Sequence, residues 1–121
     1  MATYFLADIH LAENRPEITA AFLATLAALA RDADAIYLLG DLYDYWLGDD
    51  LATPYQQHIA AALAALSCPL YYQHGNRDFL LGDAYARAAH MHILPERYRL
   101  SLGGKTVLLE HGDLLCTDDH G

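Results

Sequence analysis

Positive charge and sulfur are both scarce in this chain. Seven Lys and Arg residues stand against 16 Asp and Glu over 121 residues, a formal net charge of −9. That imbalance argues against a nucleic-acid backbone or an anionic lipid as a simple electrostatic partner. The two cysteines, Cys68 and Cys116, have no paired spacing, so buried or inert thiols are expected rather than a disulfide. No apolar run has the length needed to span a bilayer, and no basic N-terminal region leads into a long apolar stretch. Cytoplasmic residence is the default expectation. No Gly-x-Gly-x-x-Gly follows the first apolar run, which disfavours a Rossmann-type nucleotide binder. Internal repeats, low-complexity tracts and linkers are also missing.

What remains is rich in apolar residues. A 55% hydrophobic content supports a real core. A single domain over residues 1–121 would bury roughly 65% of its unfolded surface. Thr3 to Ala7 reads as a short buried strand. Pro16 suits the first turn of a helix, and Ile18, Phe22, Leu26 and Leu29 repeat at helical spacing to about Ala30. Asp32 to Asp34 breaks that pattern ahead of a second strand at Ala35 to Leu39. Thr53-Pro54 opens a second helix with an inward stripe of Tyr55, Ile59, Leu63 and Leu66. Ser67-Cys68-Pro69 ends it, and a third strand follows from Leu70. A shorter helix covers Asp83 to Ala89. Tyr98–Leu102 and Lys105–Leu109 flank Gly103-Gly104, a two-residue hairpin turn. Strands alternating with helices imply an α/β fold with parallel pairing and right-handed crossovers, then an antiparallel hairpin. No strand or helix is expected after the hairpin, where the chain runs into Cys116-Thr117-Asp118-Asp119-His120-Gly121.

The chemistry sits where these runs end. Asp8-Ile9-His10, Gly40-Asp41-Leu42-Tyr43-Asp44, Gly75-Asn76-Arg77-Asp78 and His111-Gly112-Asp113 each follow or flank an apolar run, with Trp46-Leu47-Gly48-Asp49-Asp50 nearby. Carboxylate, imidazole and amide groups repeated at strand ends suit hard-to-borderline cations at one edge of a sheet. Asp8 and His10, one residue apart, would share a face of an extended segment. Asp41 can bridge two metals with its two oxygens, and Gly40 permits close backbone approach. Asn76 adds a neutral amide oxygen and His111 an imidazole. Each has a plainer reading as a cap, a turn former or a satisfied polar group; it is their joint recurrence that points to a metal site. Arg77 is placed to grip phosphate oxygens, or else to pair with Asp44 or Asp78. His58 reads as solvated on its helix, His90 and His92 as structural, and His74 as packing or supporting. His120 carries no assignment.

The order Asp-x-His, Gly-Asp-x-x-Asp, Gly-Asn-Arg-Asp, His-Gly-Asp resembles the calcineurin-like metallophosphoesterase superfamily, and the likeness runs the length of the chain. The extensions at 46–50 and 79–82 resemble a branch that cleaves the pyrophosphate of a nucleotide-activated, diacylated sugar on the lipid A pathway. The resemblance implies two divalent cations, manganese being the usual occupant. Asp8, His10 and Asp41 would hold one, and Asp41, Asn76 and His111 the other. It assigns substrate contacts to Asn76, Arg77 and Asp119 and requires no protein nucleophile, since metal ions can activate the attacking water. It also implies peripheral attachment to the cytoplasmic face of the inner membrane.

Superfamily members carry a Gly-His-x-His motif whose histidines complete the metal shells, and this sequence has none. The nearest pattern, His90-Met91-His92, follows Ala89. The expectation is therefore the N-terminal half of an αββα sandwich, with another sheet and an acyl-binding cap lying beyond it. Such a chain alone should bind manganese weakly, turn over little substrate, and self-associate to cover an exposed apolar face. Two further readings stand beside this one. The first is another metallophosphoesterase acting on nucleotides or phosphoproteins. The second is a catalytically silent, self-associating αβ module.

Overall fold

Apolar runs become parallel strands, and the helical stripes between them pack on one side of the resulting sheet. The computed structural model describes residues 2–7, 9–40, 42–43, 53–74, 81–102, 104–110 and 113–117. The elements are β1 (Ala2–Ala7), α1 (Pro16–Leu29), β2 (Ala33–Leu39), α2 (Pro54–Ala64), β3 (Leu70–Gln73), α3 (Asp83–Ala89), β4 (Met91–Ile93), β5 (Arg97–Leu102), β6 (Lys105–Glu110) and β7 (Asp113–Thr117). The first four strands form a parallel sheet in the order β1-β2-β3-β4, and the last three an antiparallel sheet in the order β5-β6-β7.

The α/β class, the three helices and the hairpin follow the sequence expectation, with two strands added. Met91–Ile93 pairs with β3 as a fourth parallel strand, although its histidine-flanked sequence reads as a helix end. Asp113–Thr117 pairs with β6, correcting the expectation that nothing regular follows the hairpin. A second sheet is thus already present in this chain rather than lying wholly beyond it. β2 also starts earlier than Ala35, because Ala33 pairs with Ala2 across a register shift in β1.

Period-two alternation sorts the parallel sheet into two faces. Ile36, Leu38, Leu70 and Tyr72 point into a cluster with Phe22 and Leu26 of α1, Ile59 and Leu63 of α2, and Tyr85, Ala86 and Ala89 of α3. Tyr37 and Leu39 point the other way, against Leu94, Val107 and Leu109, with Phe5, Tyr71, Tyr98 and Leu100 around them. The described layers are helices, parallel sheet and antiparallel sheet. Helix entry follows local chemistry. Pro16 and Pro54 occupy first-turn positions where no N–H is needed. Thr53 and Gln56 form a capping box, with Gln56 N–H donating to Thr53 Oγ1 at 3.2 Å and Thr53 N–H to Gln56 Oε1 at 2.9 Å.

Candidate metal centre at the strand ends

Parallel pairing brings three strand ends to one edge. Ala7 is level with Leu39, and Leu39 with Gln73. Gly40 N–H donates to the Gln73 carbonyl at 2.7 Å, extending the β2–β3 pairing past the strand. Gly40 adopts φ 55°, a left-handed conformation in which a side chain is strained, so glycine serves the turn itself here. Beyond the sheet, Leu11 N–H donates to the Leu42 carbonyl at 2.8 Å and Leu11 bridges Tyr43, so the segments leaving β1 and β2 run side by side. β6 joins the same edge through Gln73, whose side-chain Nε2 donates to the Leu109 carbonyl at 3.0 Å.

Next in the chain to Ala7, Gly40 and Glu110 come Asp8, Asp41 and His111, and Asn76 follows His74 by two residues. The donors adjoining these converging ends are carboxylate, imidazole and amide, which suit divalent cations. Of the five expected metal ligands, His10 is described. Asp8, Asp41, Asn76 and His111 lie outside the described residues, as do Asp44, residues 46–50, Arg77, Asp78 and Asp119. Among the described residues alone, no three metal-ligating side chains cluster.

His10 is half-buried and adopts φ 53°. A shared face for Asp8 and His10 requires an extended segment; His10 itself is left-handed, and Asp8 lies outside the described residues. Histidine is among the residues that tolerate this region, at a cost of about 1–2 kcal/mol. Backbone strain of this kind concentrates at functional sites.

Other residues support the edge without having announced themselves. Gln73, 1% exposed, also donates Nε2–H to the carbonyls of Pro95 (2.9 Å) and Glu96 (3.2 Å). A lone polar residue ending an apolar run was the available signal. Tyr43 hydrogen-bonds the Tyr85 hydroxyl, which donates to the Gln56 carbonyl at 2.8 Å, tying the segment after β2 to α3 and α2. Burial, and then the neighbouring Tyr85, pushes the Tyr43 phenol well above its ordinary range, so it stays neutral. His74 hydrogen-bonds the Leu81 carbonyl and so joins the two described residues that flank 75–80. That is the supporting role expected of it.

Among the described residues, His90 and His92 have the structural roles expected of them. His90 is the left-handed C-cap of α3, and the His92 ring packs 5.3 Å from that of Tyr71. His58 is exposed on α2. Cys68 is a free, half-buried thiol with its pKa raised by burial. An apolar cavity of about 300 Å³ lies between α1 and α2, lined by residues such as Leu23, Ala27, Ala62 and Leu66. It sits toward the helix C-termini, at the end of the sheet where strands begin, and its hydrocarbon lining suits neither a cation nor a phosphate.

Known proteins agree with this architecture. The chain is 54% identical over 124 aligned residues to UDP-2,3-diacylglucosamine hydrolases of Shigella dysenteriae serotype 1 (strain Sd197) and Escherichia coli O81 (strain ED1a), covering 100% of this chain and 52% of each relative. The chain thus spans about half the length of the curated relatives it matches. A crystal structure of a protein of unknown function from Aquifex aeolicus shares the fold, with TM-score 0.61 and 22% identity, over 90% of this chain and 59% of that one. The calcineurin-like phosphoesterase family, whose members use divalent metals, matches residues 1–120. With that match spanning the strand ends described above, the chain belongs to the calcineurin-like phosphoesterases, a family of hydrolases.

Proposed function

We propose that this chain carries the metal-holding part of a pyrophosphohydrolase acting on UDP-2,3-diacylglucosamine, releasing UMP and 2,3-diacylglucosamine 1-phosphate (lipid X) on the lipid A pathway. The observation that carries the reading is the convergence of the ends of β1, β2, β3 and β6, each adjoining a ligand-type residue in the sequence. The name and 54% identity of the relatives support the choice of substrate. In this reading Asp8, His10 and Asp41 hold one cation and Asp41, Asn76 and His111 the other, with manganese as the assigned metal. Two bound cations would supply charge neutralisation on the diphosphate and polarise a water for in-line attack. The chain's own share is to hold these donors at a fixed separation, with Asp41 common to both. Arg77 and Asn76 would grip phosphoryl oxygens, and Asp119 the sugar. The same reading places the protein on the cytoplasmic side of the inner membrane, in peripheral contact with its lipid substrate.

Manganese uptake, followed by electron paramagnetic resonance of the free ion, tests the assignment. Uptake is expected in the wild-type chain, tightened by UDP-2,3-diacylglucosamine but not by an aryl phosphodiester, and abolished in Asp41→Ala. No uptake, or equal uptake in Asp41→Ala, would overturn the reading. A preference for the aryl diester would favour a different phosphoesterase substrate.

The edge of the parallel sheet favours self-association as well. Among the described residues β1 pairs with β2 alone, and its sequence Ala2-Thr3-Tyr4-Phe5-Leu6-Ala7 carries none of the charges or prolines that blunt an edge strand. Sizing in solution should find a dimer, and a strict monomer at high concentration would refute it.

A further inference from the structure

We infer that Gln73 is a positioning residue for the second cation, its buried side-chain amide locking the end of β3 to the end of β6. The inference rests on the metal-site reading above. Gln73 faces the inter-sheet cluster of Tyr37, Leu39, Leu94, Val107 and Leu109, where alternation along β3 calls for an apolar side chain. A buried amide there is costly unless it is hydrogen-bonded, and it also gives up side-chain freedom. Its Nε2 meets three carbonyls: Pro95 at 2.9 Å, Leu109 at 3.0 Å and Glu96 at 3.2 Å. Two N–H groups serve three acceptors, so at least one is shared.

Those acceptors belong to the link between β4 and β5 and to β6, whereas Gln73 itself ends β3. One side chain therefore spans the parallel sheet, the antiparallel sheet and the connection between them. The placement along the chain is specific. Asn76 comes three residues after Gln73, and His111 two residues after Leu109. These are the two donors assigned to the second cation alone. Asp8 and His10, assigned to the first, follow β1, which Gln73 does not touch through any of these three bonds. A metal site tolerates only about 0.5 Å of misplacement in its supporting shell. Dispersion and apolar contact between the sheets are non-directional and permit sliding, whereas three carbonyls on one amide fix a register.

The discriminating experiment is manganese titration of the wild-type chain, Gln73→Met and Gln73→Asn, with bound ions counted by electron paramagnetic resonance and folding checked by far-UV circular dichroism. Methionine keeps the length and packing of glutamine without its donors; asparagine keeps the amide but shortens its reach. The wild type should show two classes of site. Gln73→Met should keep one class within about twofold and weaken the other about tenfold, the low end for loss of a supporting partner. Gln73→Asn should fall between. Unchanged binding of both ions by Gln73→Met would overturn the inference and leave the proposed function standing. Equal weakening of both classes would also overturn it, since that marks a general loss of structure. If Gln73→Met does not fold, the same two criteria apply to Gln73→Asn. A wild-type chain that takes up no manganese defeats the proposed function and this inference together, and the wild-type titration alone reveals it.

Discussion

On its helix side the parallel sheet presents Ile36, Leu38, Leu70 and Tyr72 to Phe22, Leu26, Ile59 and Leu63, whereas on its other side it presents Phe5, Tyr37, Tyr71 and Gln73 to Leu94, Val107 and Leu109. The first interface is broad and chiefly aliphatic. The second is narrower and specified by aromatic rings and one amide. Phe5 stacks on Tyr37 at 5.0 Å, Tyr37 on Tyr71 at 4.8 Å, and Tyr71 meets His92 at 5.3 Å, a ladder crossing all four strands. Burial of hydrocarbon scales with area and supplies most of the stability. Ring geometry and hydrogen bonds add less energy but fix alignment. The helix side thus supplies stability, while the sheet–sheet side sets how the strand ends meet.

Truncating one fully buried leucine on each side tests that division. Leu38→Ala, in the larger cluster, should lose about 3–4 kcal/mol in urea unfolding, and Leu109→Ala about 2 kcal/mol because a thin cluster relaxes around the cavity more easily. Equal losses, or the reverse order, would break the comparison. At the seam of the two faces, Gly40→Ala should cost about 1–2 kcal/mol from its left-handed φ of 55°. It should also weaken manganese uptake, which a substitution confined to the helix side would leave alone.

The smallest effect concerns a buried polar contact on the helix side. Tyr43→Phe should cost about 1 kcal/mol at neutral pH by removing a buried hydrogen bond. Its pH signature is sharper than its size. The folded chain raises the Tyr43 phenol pKa, chiefly by burial and then through Tyr85. Below about pH 10 both folded and unfolded chains keep that proton, and the stabilisation is fully present. Above it the unfolded chain ionises first, so stability falls as pH rises, by up to about 1.4 kcal/mol per pH unit for this group. Urea melts at increasing alkaline pH should show a shallower decline in Tyr43→Phe, and an unchanged slope would contradict the buried neutral phenol.

Much of this architecture was legible one residue at a time. The Asp83–Ala89 helix has the bounds expected, and the stripes of α1 and α2 face inward, since amphipathic spacing is local and survives folding. The hairpin around Gly104 was equally plain; that glycine sits at φ 83° with nothing near a would-be Cβ. β4 and β7 were not legible, because three to five residues carry too little alternation and become strands only by pairing with β3 and β6. Motifs at strand ends name the expected metal ligands from sequence alone. The left-handed turn at His10, the Thr19 to Tyr55 hydrogen bond at 2.5 Å and the bonding of the Gln73 amide have no such local signature.

By itself the sequence determined the class of fold, the order of the three helices, the first three strands and the hairpin, and the ligand-type residues that follow each apolar run, because propensity, periodicity and donor chemistry belong to neighbours in the chain. Tertiary structure alone decided that Ala7, Gly40, Gln73 and Leu109 share an edge, and that one buried amide ties two sheets together there. Those contacts join residues far apart in sequence, and their energy exists only once the intervening loops have closed.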